Sequence, residues 1–271
     1  MPRKPPPPRL YKYQPFDART LANLKSAQIW FNAPIRFNDP YDCALPMFDT
    51  SRLTEADFRR VFDHYRERQP TGQFIVERMC PDGVPSQEFR DLIVRSAQEG
   101  SDERRRILLE QRGIACFSAN SLDITMWSHY ADGHHGFCLE FDTGIKPFTE
   151  AYYVRYADAF PYVNPVDIIV NPHDGDPEND LLVSSVLTKA ACWKYEEEWR
   201  IMHLEPNKLF GYDWRALTGI YFGAQILPAH REILCLVLQG SPTQLYNVER
   251  DDAKGFALRA RRVTYKPYEY T

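Results

Sequence analysis

The sequence predicts an α+β fold with a mixed, mainly antiparallel, curved sheet flanked by helices. Three observations carry that expectation. Segments with apolar residues at i, i+3, i+4 and i+7 interleave irregularly with segments of period two. Several neighbouring strands are separated only by short turns of the kind that close hairpins. No regular strand–helix–strand alternation runs through the chain, as a doubly wound parallel sheet would require. The 271 residues suit one elaborate domain over 10–271, behind a basic, proline-rich tail, MPRKPPPPR (1–9), expected to be disordered.

RLYKYQ alternates and reads as a strand, Asp17 is placed to cap a helix over 18–27, and QIWF follows as a second strand. FNDPYD turns, because Asn38, Asp39 and Pro40 supply the side-chain bonds and fixed φ that turns use. Thr54 and Asp57 form a capping box, and Phe58, Val61, Phe62 and Tyr65 make one buried stripe behind it. Ser86 opens the next helix, with Phe89, Leu92 and Ile93 inward, and SDERRR (101–106) reads as a further helix start with solvated arginines. Gly113 ends that segment and IACFS is a short buried strand.

One of Ser118, Asn120 and Asp123 caps the helix ITMWSHYAD, which Gly133 terminates through a left-handed residue. FCLEFD then puts Phe137, Leu139 and Phe141 on one face of a strand and Cys138, Glu140 and Asp142 on the other. A proline- and aspartate-rich insertion at 158–180 leads into a helix over 181–193. Strands near 197–204 and 217–223, a helix opened by Pro228, and strands near 244–248 and 256–265 complete the order.

A net charge of -4 and a pI near 6.0 give no global field that would draw a polyanion. Six scattered cysteines without a C-x-x-C pair fit reduced thiols, and with them a cytoplasmic location, better than a disulfide framework. No apolar run reaches the roughly 18 residues a membrane span needs, so no membrane association is expected.

Chemistry-bearing residues concentrate in two places. MWSHYADGHHGFCLEFD (126–142) crowds Trp127, His129, Tyr130 and His134 around a helix-to-strand turn. His129 and Asp132 share a helical face but His134 and His135 lie past Gly133, so no metal is expected. The plainer alternative packs Trp127 and Tyr130 in the core and bonds His129 and His134 to backbone carbonyls. In WKYEEEWRI (193–201), strand geometry puts Glu196, Glu198 and Arg200 on one face and Tyr195, Glu197 and Trp199 on the other. Such carboxylates either form solvated ion pairs or work in a cleft, one gripping a hydroxyl while the other deprotonates a nucleophile. Lys12 in LYKY, Asn38 and Asp39 in FNDP, and Ser118 are further polar candidates.

LYKY, IWFNAPIRFNDPYDC, CFSANSLDITMWSHYADGHHGFCLEFD, WKYEEEWRI and IYFG resemble, in order and spacing over about 10–265, a bacterial family known as domain of unknown function 2971. Its signatures are W-x-H-Y-A-x-x-H-x-G and Y-E-x-E-W-R. The layout is also distantly similar to ADP-ribosyltransferases, which carry an NAD-contacting residue on an early strand, a serine on a middle strand and a catalytic glutamate on a late one. That resemblance implies a split sheet and consumption of NAD as a substrate, by transfer or glycohydrolysis, in a bacterial toxin or phage-defence setting.

Residue by residue, it gives Lys12 the first place, where Arg or His is usual, Ser118 the second and Glu198 the third. Tyr130 or Trp127 would stack on nicotinamide, Glu196 would activate the acceptor, and Lys12 or Arg200 would hold a phosphate, unless Arg200 simply orients Glu196. His129, Asn38, Asp39, His134 and Tyr195 complete the candidate pocket. The partners so implied are a nucleotide-type small molecule and a protein or nucleic-acid acceptor. Two other classes stay open: a nuclease or other hydrolase using His129 or His134 with a carboxylate, and a non-catalytic ligand-binding domain.

Overall fold

The computed structural model describes residues 4–43, 49–68, 70–159, 162, 164–170 and 186–266. Alternation in the expected places builds the strands of the main sheet. β1 (Arg9–Gln14) runs antiparallel to β4 (Phe137–Asp142) along its whole length, and β3 (Gly113–Ser118) does the same with β8 (Glu198–His203). β5 (Tyr152–Tyr153) flanks β8 at one edge. At the other, β10 (Leu217–Phe222), β11 (Gln244–Arg250) and β12 (Leu258–Val263) extend the sheet from β4, with β10 and β11 parallel. The order is β12-β11-β10-β4-β1-β3-β8-β5, so the fold is α+β with a mixed, mainly antiparallel, open sheet. β2 (Gln28–Phe31) pairs with β9 (Lys208–Gly211), and β6 (Arg155–Ala157) with β7 (Thr188–Ala190), as separate ribbons.

One junction differs from the rest. β1 and β3 share a single register position, Tyr11 opposite Ser118. The sheet is therefore parted between these strands, although it remains one hydrogen-bonded sheet, and this parting creates the cleft.

Apolar side chains cover both faces. Leu10, Leu139, Phe141 and Ile220 pack beneath Leu24 of α1 (Ala18–Lys25) and Leu234 of α7 (Pro228–Val237). On the opposite face, Tyr13, Cys138 and Tyr221 receive Met126 and Trp127 of α5 (Ile124–Tyr130). α2 (Glu55–Arg68), α3 (Pro70–Met79), α4 (Gln87–Gln111) and α6 (Pro165–Val170) form their own core around Phe62, Phe89 and Val166. The expected caps are present: Asp17 with Thr20, Thr54 with Asp57, Ser86, and Asp123 for α5.

Three expectations are corrected. SDERRR starts no helix, because α4 runs unbroken through Gly100 and places those charges mid-helix, where Arg106 pairs with Glu103. The helix expected over 181–193 falls partly outside the described residues, and over 188–193 the chain forms β7 and then a 3-10 turn, Ala191–Glu196. The tail is not disordered over residues 4–8. Thr143 donates to the carbonyls of Pro7 (2.5 Å) and Pro8 (3.3 Å), and the Lys4 ammonium sits 4.0 Å from the Tyr153 ring centroid.

Candidate functional site

The parting between β1 and β3 opens into a cavity of about 400 Å³, a size suited to a small organic ligand. Lys12, Ser118, Glu198, Glu196, Tyr130, His129 and Asn38 all line it, brought from β1, β3, β8, the 3-10 turn before β8, α5 and the turn after β2. Lys12 and its strand neighbours point to opposite faces, so its ammonium reaches across the gap to the carbonyl of Cys116 (3.0 Å). Ser118 closes the end of β3 by bonding both backbone groups of Asn120.

Beneath the cavity lies a buried ion cluster. Arg200 is 0% exposed and grips Glu198 from Nε (2.7 Å) and Nη2 (2.9 Å), and Asp42 from Nη2 (2.8 and 2.7 Å). Its Nη1 donates to the Val186 carbonyl (2.6 Å). Lys189 donates to Glu196 (2.5 Å) and Glu198 (3.1 Å) and lies 3.4 Å from Asp42. Tyr130 donates its hydroxyl to the other oxygen of Glu196 (2.6 Å), joining the cluster to the cavity wall.

Electrostatics separates the two glutamates. Burial alone would raise the Glu198 carboxyl, but the Arg200 guanidinium and the Lys189 ammonium outweigh it and hold it well below the usual carboxylate range. For Glu196, burial and the neighbouring Glu198 charge win over Lys189, and its carboxyl is raised. Lys189 is pushed the other way: burial favours its neutral amine, yet the Glu198, Asp42 and Glu196 carboxylates raise it above an ordinary lysine. Burial lowers Lys12. The thiols of Cys43 and Cys116 are raised by burial and are poor nucleophiles.

Residues 126–201 match the family model described as "Protein of unknown function (DUF2971)". No curated protein and no solved structure matches the chain. The matched segment is narrower than the 10–265 expected. It supplies Tyr130, Lys189, Glu196, Glu198 and Arg200, whereas Lys12, Asp42 and Ser118 lie outside it.

Several site expectations change. Glu196 is not on the strand with Glu198. It ends the 3-10 turn, and Glu197 at φ 44° turns the chain so that both carboxylates still converge on Lys189. Arg200 cannot hold a phosphate, because its donors are spent on Glu198, Asp42 and Val186; it positions Glu198 instead. Trp127 is 0% exposed, packs edge-on to Tyr13 and donates to the Ser121 carbonyl, so it presents no face to a ligand. Asp39 accepts from the amide of Tyr41 as a turn residue and does not line the cavity. Tyr195 lies behind His129, its ring stacked on the imidazole at 6.4 Å, and is likewise not a lining residue.

His134 lies outside the cavity too. It is stacked on Trp127, with one ring nitrogen 3.3 Å from the Ser128 hydroxyl. It belongs to a turn in which Asp132, Gly133 and His134 are successively left-handed. Gly136 closes that turn so tightly that a Cβ would stand 2.1 Å from the Gln14 carbonyl. Backbone on both sides cannot yield as a flexible side chain would, and Gly136→Ala is expected to destabilise the protein by about 1–3 kcal/mol, read as a lowered Tm. An unchanged Tm would show that the turn is looser than described.

Sequence reasoning missed Asp42 and Lys189. A usable signal existed: two glutamates beside a single arginine in a buried strand leave a carboxylate short of a cation. Among the described residues, no group of His, Cys, Asp or Glu comes together to hold a metal, and no helix is long and apolar enough to cross a membrane.

Proposed function

We propose that the protein binds NAD in the cleft between β1 and β3 and breaks its nicotinamide N-glycosidic bond, transferring ADP-ribose to an acceptor or to water. One observation carries the reading: Lys12, Ser118 and Glu198, far apart in sequence, lie on adjoining strands β1, β3 and β8 and line one cavity with Tyr130 as its wall. Ser118 is the register partner of both Tyr11 and Glu198, so Tyr11, Ser118 and Glu198 form one row across the three strands, and Lys12 enters the cavity from the position next to Tyr11.

The roles follow from the geometry. As the C1′–N bond breaks, its electron pair goes to the nicotinamide nitrogen and the ribose acquires oxocarbenium character. Glu198, fixed and kept ionised by Arg200 and Lys189, supplies negative charge where positive charge develops. Glu196 accepts one bond from Lys189 and one from Tyr130, which leaves lone pairs for the acceptor's proton as its oxygen or nitrogen attacks C1′. Tyr130 offers its ring to a planar base.

A second reading has an observation of its own. Lys189 and Arg200 place three hydrogen bonds on Glu198, which stands 3% exposed, an arrangement also suited to a cleft that binds a nucleotide without turning it over. For the histidine-based hydrolase, His134 lies outside the cavity against Ser128, which leaves His129 alone beside the carboxylates, with no hydrogen bond to them among the described residues. Incubation with NAD, alone and with bacterial extract, decides between the two supported readings. Free nicotinamide is the expected product; nucleotide binding without its release would favour the binding domain, and neither would discard both.

A further inference from the structure

Besides the acids, the cavity is lined by three cationic side chains: Lys12, Lys189 and Arg36. Lys189 is spent on three carboxylates. Lys12 is committed to the Cys116 carbonyl and lies 5.1 Å from the Phe117 ring centroid, and its burial disfavours the charged form. Arg36 is different. It is exposed at the cavity lip, and among the described residues no carboxylate pairs with its guanidinium.

The ion pairs make the same point. Asp42, Glu196 and Glu198 are each held by Lys189 or Arg200, and none of these carboxylates reaches Arg36. Its backbone is held firmly. Arg36 closes the 3-10 turn Pro34–Arg36, whose Pro34 and preceding Ala33 are buried. The turn's own bonds, Arg36 N to Ala33 O (2.9 Å) and Phe37 N to Pro34 O (2.9 Å), are joined by a bond from the Ala33 amide to the Asn207 side chain (3.3 Å). A planar guanidinium on a fixed turn at the mouth of the cleft, free of the ion pairs that hold Lys189 and Arg200, suits the paired oxygens of a phosphate, which it can bind bidentately.

We infer that Arg36 is the anion-holding residue of the cleft and takes the phosphate or diphosphate of the ligand, the role for which the sequence offered Lys12 or Arg200. This rests on the nucleotide reading of the site but not on turnover.

The test is calorimetric titration of the full chain and of Arg36→Gln with ADP-ribose, inorganic pyrophosphate and adenosine, at low and high salt. Arg215→Gln, which breaks an exposed pair with Asp213, serves as the control for surface charge. The wild-type protein is expected to bind ADP-ribose more tightly than adenosine, with affinity falling as salt rises. Arg36→Gln should weaken ADP-ribose and pyrophosphate by about tenfold or more, leave adenosine unchanged, and keep the wild-type Tm; Arg36→Lys should recover part of the loss. If NAD is consumed, KM should rise with kcat held. An Arg36→Gln variant that binds ADP-ribose as the wild type does overturns this inference while leaving the proposed function intact. A wild-type protein that binds neither ADP-ribose nor pyrophosphate overturns both.

Discussion

Replacing Arg200 with methionine is expected to lower folding stability by about 3–5 kcal/mol, because it strands buried Glu198 and Asp42 without their guanidinium partner. The loss comes chiefly from the carboxylates left behind rather than from the missing attraction, since Lys189 is already shared among three acids. Urea unfolding should show a lower midpoint with an unchanged slope. Arg215→Met, at an exposed pair, should not move that midpoint. A shift no larger than that of the control would show that the cluster does not hold the fold.

The same cluster sets a pH dependence. The folded pKa of Glu198 lies below its unfolded value of about 4.3, so its contribution is present above that pH and is lost as pH falls through the folded value. Acid unfolding should therefore steepen below about pH 4 in the wild type. In Arg200→Met that steepening should shrink, since the charge that depresses Glu198 is gone.

Glu198→Gln is expected to reduce nicotinamide release by about 10²–10³-fold, the scale on which one preorganised electrostatic group acts in a water-poor site. The amide keeps the volume but discards the charge, and its NH2 group must face Lys189 or Arg200, so the variant also loses stability. Rates should therefore be compared below the variant's unfolding range, as kcat at saturating NAD. Glu196→Gln gives the contrast. It too should lower kcat, but the loss should be largest for transfer to a poorly ionised acceptor, and it should remove the acidic limb of the pH–rate profile, since the raised carboxyl must be deprotonated to accept a proton. Equal activity of wild type and Glu198→Gln would end the electrostatic assignment of that residue.

Much of the local structure was legible in the chain. Alternation in RLYKYQ and FCLEFD gave strands because a half-buried pleat needs it, and Asp17, Thr54, Ser86 and Asp123 marked helix starts because free backbone amides need acceptors there. The reading failed where local rules are overruled. SDERRR resembles a helix start, yet the helix passes through it, since packing of Phe89, Ile93 and Leu108 outweighs one glycine and a charge run. YEEEW alternates like a strand through Glu196, but left-handed Glu197 breaks the pleat, and no periodicity reveals a single positive φ.

The sequence by itself determined the α+β class, most element positions and the majority of the polar residues that line the cleft, because periodicity, capping and turn chemistry act between residues close along the chain. Only the tertiary structure decided that β1 and β3 part after one register pair, that Asp42 and Lys189 complete the charge pairing of Glu196, Glu198 and Arg200, and that Arg36 is left over at the lip. Those facts depend on which distant segments share a low-dielectric space. Burial and Coulomb interaction follow distance in space, not spacing along the chain.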